Sequence, residues 1–252
     1  MKTKRVKKSV YVLPNLLTAG NLCAGFYAII AAVNHEFEKA AVALVLAGIL
    51  DIFDGKIARF TGSSSRFGME FDSLADLLSF GAGPAVLMYL WALQPYGRAG
   101  WVAAFLIVAC GALRLARFNV QADTSDRKWF IGLPIPAASA CMATTVLLLE
   151  TPVVFGRPMG IVFIIQAYLL AFLMVSSVRY RSFKELGMRQ KRPFSFLVSA
   201  VFLFSIIVLR PRITLFAMAV IYMISGPVET LFAPLLRKGL PAASGEKRGK
   251  TN

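Results

Sequence analysis

The chain is 252 residues long, 57% hydrophobic and only 16% charged, with a mean hydropathy of +0.65. Soluble domains are about 45–50% apolar and about 25% charged, so a water-soluble globular enzyme and a disordered chain are excluded and a membrane protein is indicated. The net charge of +15, from 28 Lys and Arg against 13 Asp and Glu, therefore reports on which side of a bilayer each segment lies, and nucleic acid is not the expected partner.

A helix needs about 20 mainly apolar residues to cross the hydrocarbon core. In chain order the candidates are 16–33, 40–57, 74–93, 101–118, 131–149, 159–178, 194–209 and 213–236, the seventh being short. The expectation is an all-α integral membrane protein of about eight spans. Connections after the first, third, fifth and seventh spans are brief and predict antiparallel hairpins. The first span follows a basic start, as in a signal peptide, but lacks a clean small-residue cleavage site and is expected to stay in the protein. The polar tail from Pro241 to Asn252 is expected to be disordered. Three cysteines, Cys23, Cys110 and Cys141, leave one unpaired, exclude a disulfide scaffold and are read as buried structural thiols.

Basic residues set the orientation. With the N-terminus in the cytoplasm, 23 of the 28 Lys and Arg fall on that side and 5 (Lys39, Arg98, Arg157, Arg210, Arg212) on the other. This split predicts both termini inside the cell, and a multi-pass location in the cytoplasmic membrane.

Acidic residues in a span are costly and need a reason. Asp51 and Asp54 stand at i,i+3 where the second span ends; Asp72 and Asp76 stand at i,i+4 where the third begins. Each pair shares a helix face, and the short link 60–67 can bring the two faces together. Four converging carboxylates require positive charge between them. Oxygen-only ligands without nearby His or Cys favour Mg2+ or Mn2+, and two such ions suit phosphoryl transfer at a membrane surface. The alternative is a set of ion pairs with Lys56, Arg59 and Arg66; against it, Gly55 and Gly68 flank the acids, where a ligand needs close backbone approach. His35, the single histidine, lies toward the other side, away from this chemistry, and Pro84 with Gly81 and Gly83 is expected to kink the third helix.

The string Asp51-x2-Asp54-Gly55-x2-Ala58-Arg59-x8-Gly68-x3-Asp72-x3-Asp76 resembles, at all eight fixed positions, the signature of the CDP-alcohol phosphatidyltransferases. The resemblance implies a six-helix catalytic core over 13–180 behind a basic N-terminus (1–12), two added spans with a basic loop (181–236), and the tail (237–252). It implies that Asp51, Asp54 and Asp72 ligate a metal pair and that Asp76 both contacts metal and acts as general base. It implies CDP-diacylglycerol contacts at Gly55, Arg59 and Ser65, and at Asn15 and Thr18 of the run Pro14-Asn15-Leu16-Leu17-Thr18. A homodimer among membrane lipids also follows from the resemblance.

The run Arg114-Leu115-Ala116-Arg117-Phe118-Asn119 and the run Gly132-Leu133-Pro134-Ile135-Pro136 look like those of the phosphatidylserine synthase branch, which implies L-serine as acceptor. A serine carboxylate suits a fixed guanidinium, making Arg114, Arg117 and Asn119 the acceptor candidates. A glycerol-phosphate or inositol-phosphate acceptor is the sibling reading, kept open by the basic stretch 179–192. A cation transporter using membrane carboxylates is the reading from a different class.

Overall fold

Two helices joined by a tight turn carry most of the site. In this computed structural model, which describes residues 12–61, 65–121, 129–149, 157–181, 198, 201–202 and 205–238, α1 (Val12–Val33) and α2 (Phe37–Thr61) form the most extensive helix pair. Their seam is alanine: Ala28, Ala31 and Ala32 of α1 and Ala40, Ala41 and Ala47 of α2 are buried almost completely. Lipid chains are as apolar as Leu, so helices in a membrane associate by close packing, which small side chains permit. The turn is closed by Glu36 N donating to Ala31 O at 2.8 Å, with His35 in the left-handed region at φ 59°. The His35 ring meets Phe37 edge-on at 5.6 Å. The lone histidine thus belongs to a helix-ending turn, where the left-handed conformation frees the last carbonyls for such bonds.

The expected third span is a continuous but irregular helix over Arg66–Tyr96. It starts as α3 (Arg66–Asp76), widens to a π-helical segment at Leu77–Ala82, resumes as α4 (Gly83–Met88) and widens again at Tyr89–Leu93. Pro84 has no N–H to give the preceding turn, and the wider segment before it absorbs the missing bond. Where a kink was expected at Gly81, Gly83 and Pro84, the structure has a change of helical winding.

α5 (Arg98–Gln121), α6 (Ile135–Leu149) and α7 (Arg157–Val175) complete the bundle around a core that includes Leu87, Met88, Ile107, Ile135, Met142 and Leu170. α8 (Pro211–Lys238) packs on α6. Large apolar side chains point outward, among them Phe26, Phe105, Phe172 and Ile221, each more than half exposed. That is the inverse of a soluble surface and what a lipid solvent selects.

Among the described residues, four helices are long and apolar enough to cross a membrane: Leu13–Val33, Arg66–Tyr96, Arg98–Val120 and Pro211–Leu231. α2 has the length, at 25 residues, but carries Asp51, Asp54, Lys56 and Arg59 near its end. α6 and the apolar part of α7 (Gly160–Val175) are shorter. The chain is thus a helical, multi-pass membrane protein. Half of the expected seventh span, 194–209, falls outside the described residues, as do the basic N-terminus, most of the 181–192 loop and the tail.

The helical class expected from the sequence holds, with one small addition: β1 (Trp129–Ile131) pairs antiparallel with β2 (Arg179–Arg181), Phe130 opposite Tyr180. The chain leaving α7 meets the chain approaching α6, and neither can extend its helix, because Gly132 (φ 81°) turns sharply and Pro134 follows. The Gly132-Leu133-Pro134 run thereby has a structural use: Gly132 N donates to Val178 O at 2.8 Å, Leu133 N donates to Leu173 O at 3.0 Å, and Pro134 O accepts from Ala137 N and Ala138 N. One sequence expectation needs correction: not all the cysteines are buried. Cys141 is, Cys110 is half-buried and Cys23 is exposed, since an apolar run in lipid need not face the core.

Gly132 gives a direct test of this ribbon. A Cβ there would collide with the Met174 carbonyl, and φ 81° is itself unfavourable for a side chain. Gly132→Ala should destabilise the detergent-solubilised protein by about 1–3 kcal/mol, read as a lowered thermal midpoint. An unchanged midpoint would show that the ribbon is not under this constraint.

Candidate active site

The acidic positions come together from two helices that meet at their ends. Carboxylate oxygens of Asp51 on α2 and of Asp72 and Asp76 on α3 lie within 4.8 Å of one another. Asp54 is not one of that trio. It is buried one turn farther along α2, and its Oδ2 accepts a hydrogen bond from Thr18 Oγ1 at 3.1 Å. The same hydroxyl lies 3.1 Å from the Pro14 carbonyl, so its single proton is shared between the two acceptors. The charges of Asp51, Asp72 and Asp54 all bear on Asp76.

An open cleft of about 420 Å³ leads to these acids, lined by Pro14, Asn15, Thr18, Asp54, Gly55, Ala58, Ser65, Gly68, Met69 and Asp72. The expected CDP-lipid contacts Asn15, Thr18, Gly55 and Ser65 thus share one cavity. Arg59 lies on α2 within the same stretch, and its side chain is outside the described set. Ser65 has a local task as well. Its Oγ accepts from Gly68 N at 2.9 Å and caps α3, satisfying one of the donors that a helix start leaves free. A Cβ on Gly68 would stand 3.3 Å from Asn15 Oδ1, so α1 and α3 approach closely here.

The trio fits a hard cation. Its donors are all oxygens, and Asp72 Oδ1 is buried without a hydrogen-bond partner. A buried acceptor left unpaired is costly, and a carboxylate cluster is more so, unless positive charge meets it. Of the basic residues proposed for an ion-pair network, Lys56 and Arg66 are exposed, and the Arg59 side chain lies outside the described residues. Glu70, a fifth carboxylate in the same stretch, is exposed too, which separates it from the cluster.

Sequence reasoning missed Asn21. It is completely buried on α1, and its Nδ2 donates to Asp76 Oδ1 at 3.2 Å. Its carbonyl accepts from Ser79 Oγ at 3.0 Å, tying the π-helical segment to α1. The signal was available: Asn15, Thr18 and Asn21 recur every three residues and form a polar stripe along an apolar helix.

The acceptor candidates separate. Arg114 of α5 is only 9% exposed, its Nε is buried without a hydrogen-bond partner, and the charge of Asp76 bears on it. Arg117 is exposed. Asn119 is half-buried, and its Nδ2 donates to Ser73 Oγ at 3.0 Å, joining α5 to α3 beside Asp72.

With this geometry in hand, comparison with known proteins is informative. The family model for CDP-alcohol phosphatidyltransferase matches residues 11–178. The chain is 38% identical over 223 residues to the CDP-diacylglycerol–serine O-phosphatidyltransferase of Helicobacter pylori, covering 88% of this chain and 92% of that protein. It is 35% identical over 175 residues to the enzyme of the same name from Bacillus subtilis, covering 69% of this chain and 92% of that protein. It is also 35% identical over 181 residues to the archaetidylserine synthase of Methanothermobacter thermautotrophicus, covering 71% of this chain and 73% of that protein. The chain belongs to the CDP-alcohol phosphatidyltransferase family and is a transferase.

The cluster predicts a metal titration. Mn2+ added to the purified protein should bind, as followed by electron paramagnetic resonance or calorimetry, and Asp72→Asn should weaken binding at least about tenfold by removing one charged ligand. Equal Mn2+ affinity in parent and variant would set the cluster aside as the metal site.

Proposed function

We propose that this family member transfers the phosphatidyl group of CDP-diacylglycerol to the hydroxyl of L-serine, giving phosphatidylserine and CMP. The observation that carries the chemistry is the meeting of the Asp51, Asp72 and Asp76 oxygens within 4.8 Å beside the cleft. Serine as the acceptor is supported by the relatives, two of which are named for it.

Asp51, Asp54, Asp72 and Asp76 would hold Mg2+ or Mn2+, two ions per site. Bound there, such ions supply positive charge to phosphate oxygens as the leaving group departs. The protein's own groups do the rest. Asn15, Thr18, Gly55, Ser65 and Arg59 take the nucleotide and diphosphate. Asn21 holds one oxygen of Asp76, leaving the other to accept the serine hydroxyl proton. The serine oxygen attacks the phosphorus that bears the diacylglycerol, the bond from that phosphorus to CMP breaks, and CMP leaves in line. No lipid–enzyme bond forms. Arg114, buried and near Asp76, receives the serine carboxylate. Arg117 and Asn119 support it from the surface and through Ser73 respectively.

The proposal extends to the surroundings. A catalytic core at 13–180 is supported by the family match over 11–178. A cytoplasmic-membrane location with active site and both ends inside rests on the 23-to-5 distribution of basic residues. A homodimer rests on the family resemblance. The cation-transporter reading loses its motive, because the carboxylates sit at helix ends beside the nucleotide cleft.

Two experiments test the proposal. Purified protein given CDP-diacylglycerol, Mn2+ and a panel of alcohols should release CMP with serine and form phosphatidylserine. Excess chelator should stop the reaction. Asp76→Asn should lower kcat by about 10²–10⁴ while CDP-lipid affinity persists; near-normal turnover would place the base elsewhere. Separately, Arg114→Lys keeps the charge but loses the two-point contact, so the serine KM should rise about ten- to a hundredfold with the CDP-diacylglycerol KM little changed. Ethanolamine, which lacks the carboxylate, should be a poor acceptor; equal use of ethanolamine and serine would remove the clamp.

A further inference from the structure

Thr18 of α1 and Asp54 of α2 stand 36 positions apart in the chain, and each is only 4% exposed. The close α1–α2 seam brings them together. Thr18 Oγ1 lies 3.1 Å from Asp54 Oδ2 and 3.1 Å from the Pro14 carbonyl one turn back on its own helix. Branching at Cβ leaves a threonine hydroxyl few rotamers in a helix, and the one over the carbonyl four residues back is among them. In this rotamer Oγ1 meets the Asp54 carboxylate. The hydroxyl has one proton to give, and a charged carboxylate accepts it more strongly than a neutral carbonyl does.

Asp54 differs from the other acids in how it is held. Asp51, Asp72 and Asp76 come within 4.8 Å where α2 meets α3, whereas Asp54 stands outside that trio, yet it lines the same cleft as Asp72. A carboxylate can rotate about its side-chain bonds, and a ligand oxygen serves a cation best when a hydrogen bond from behind fixes its direction. With Oδ2 bonded to Thr18, Asp54 keeps one orientation at the cleft wall, and its other oxygen is left for a hard cation. Thr18 lines the cleft too, and its oxygen retains lone pairs for a nucleotide, so the two roles are compatible.

We propose that Thr18 is a positioning residue for the metal site: its hydroxyl holds the Asp54 carboxylate in the orientation that takes a divalent cation, so that α1 sets metal affinity across the α1–α2 seam. This rests on the reading of Asp54 as a cation ligand.

The test is a Mn2+ titration of the full-length protein in detergent, without nucleotide or lipid substrate, followed by electron paramagnetic resonance. Thr18→Val keeps the shape of the side chain and loses the hydroxyl. It should weaken Mn2+ binding about tenfold, the lower end of what removing a ligand's hydrogen-bond partner does. Thr18→Ser, which keeps the hydroxyl and loses the methyl group, should stay within about threefold of the parent. In an Asp54→Asn background Thr18→Val should add almost nothing, because the charged ligand it orients is gone. If Asp54→Asn weakens Mn2+ binding and Thr18→Val does not, the positioning role is overturned and Asp54 remains a ligand. Equal losses in Thr18→Val and Thr18→Ser also overturn it, since the hydroxyl is then not what matters. If Thr18→Val weakens CMP binding measured in excess chelator but leaves Mn2+ affinity unchanged, Thr18 is a nucleotide contact alone. An unchanged Mn2+ affinity in Asp54→Asn removes the ligand reading and the role of Thr18 with it, while the trio stands if Asp72→Asn still weakens binding.

Discussion

Everything in this molecule is arranged around the electrostatic cost of holding carboxylates together at the ends of apolar helices. Asp51, Asp72 and Asp76 approach within 4.8 Å, and Asp54 stands beside them. Like charges at that range in a poorly hydrated place repel by several kcal/mol unless they are bridged or hydrogen-bonded. The fold therefore surrounds them with donors and keeps a cleft open to ligands on one side. α1 supplies the donors: Thr18 to Asp54 and Asn21 to Asp76. The alanine seam between α1 and α2 lets the backbones come close enough for the short Thr18 side chain to reach.

The winding of the third span serves the same constraint. Asp76 is the last residue of α3, and the π-helical segment begins at Leu77. A π-helical turn changes the phase of a helix locally, and such turns are frequent at functional sites. Here the change lets Ser79 bond the Asn21 carbonyl while Asp76, three residues earlier, receives the Asn21 amide. One asparagine thus fixes both the acid and the segment that follows it. Pro84, with no N–H to give, makes a regular helix unfavourable just there and stabilises the alternative winding.

Near the acids sits a buried cation. Arg114 offsets part of the negative charge near Asp76. Asn119, just over a turn farther along α5, ties that helix to Ser73 on α3. The β1–β2 ribbon presents Tyr180 to α8, where its ring packs on Tyr222 and its hydroxyl donates to the Met223 carbonyl. The helix outside the family-matched residues is thereby held to the bundle through packed aromatic rings.

The four aspartates, their pairing at i,i+3 and i,i+4, and the helical class were legible in the sequence, because charge in an apolar run is costly enough that spacing alone exposes its purpose. The stripe Asn15, Thr18, Asn21 was equally legible, though only its first two members were read. Other features were decided only by tertiary structure. The sequence could not rank Arg114 above Arg117, since both lie on one helix and burial depends on what packs against each. It could not show that Asp54 is held by Thr18 apart from the other three, because hydrogen-bond partners 36 residues apart meet only in the folded bundle. Nor could it foresee the small ribbon, in which two extended ends pair because Gly132 turns and α7 stops beside it. Local chemistry is written in residue type and spacing, whereas the partner of each group is set by the packing of helices distant in the chain.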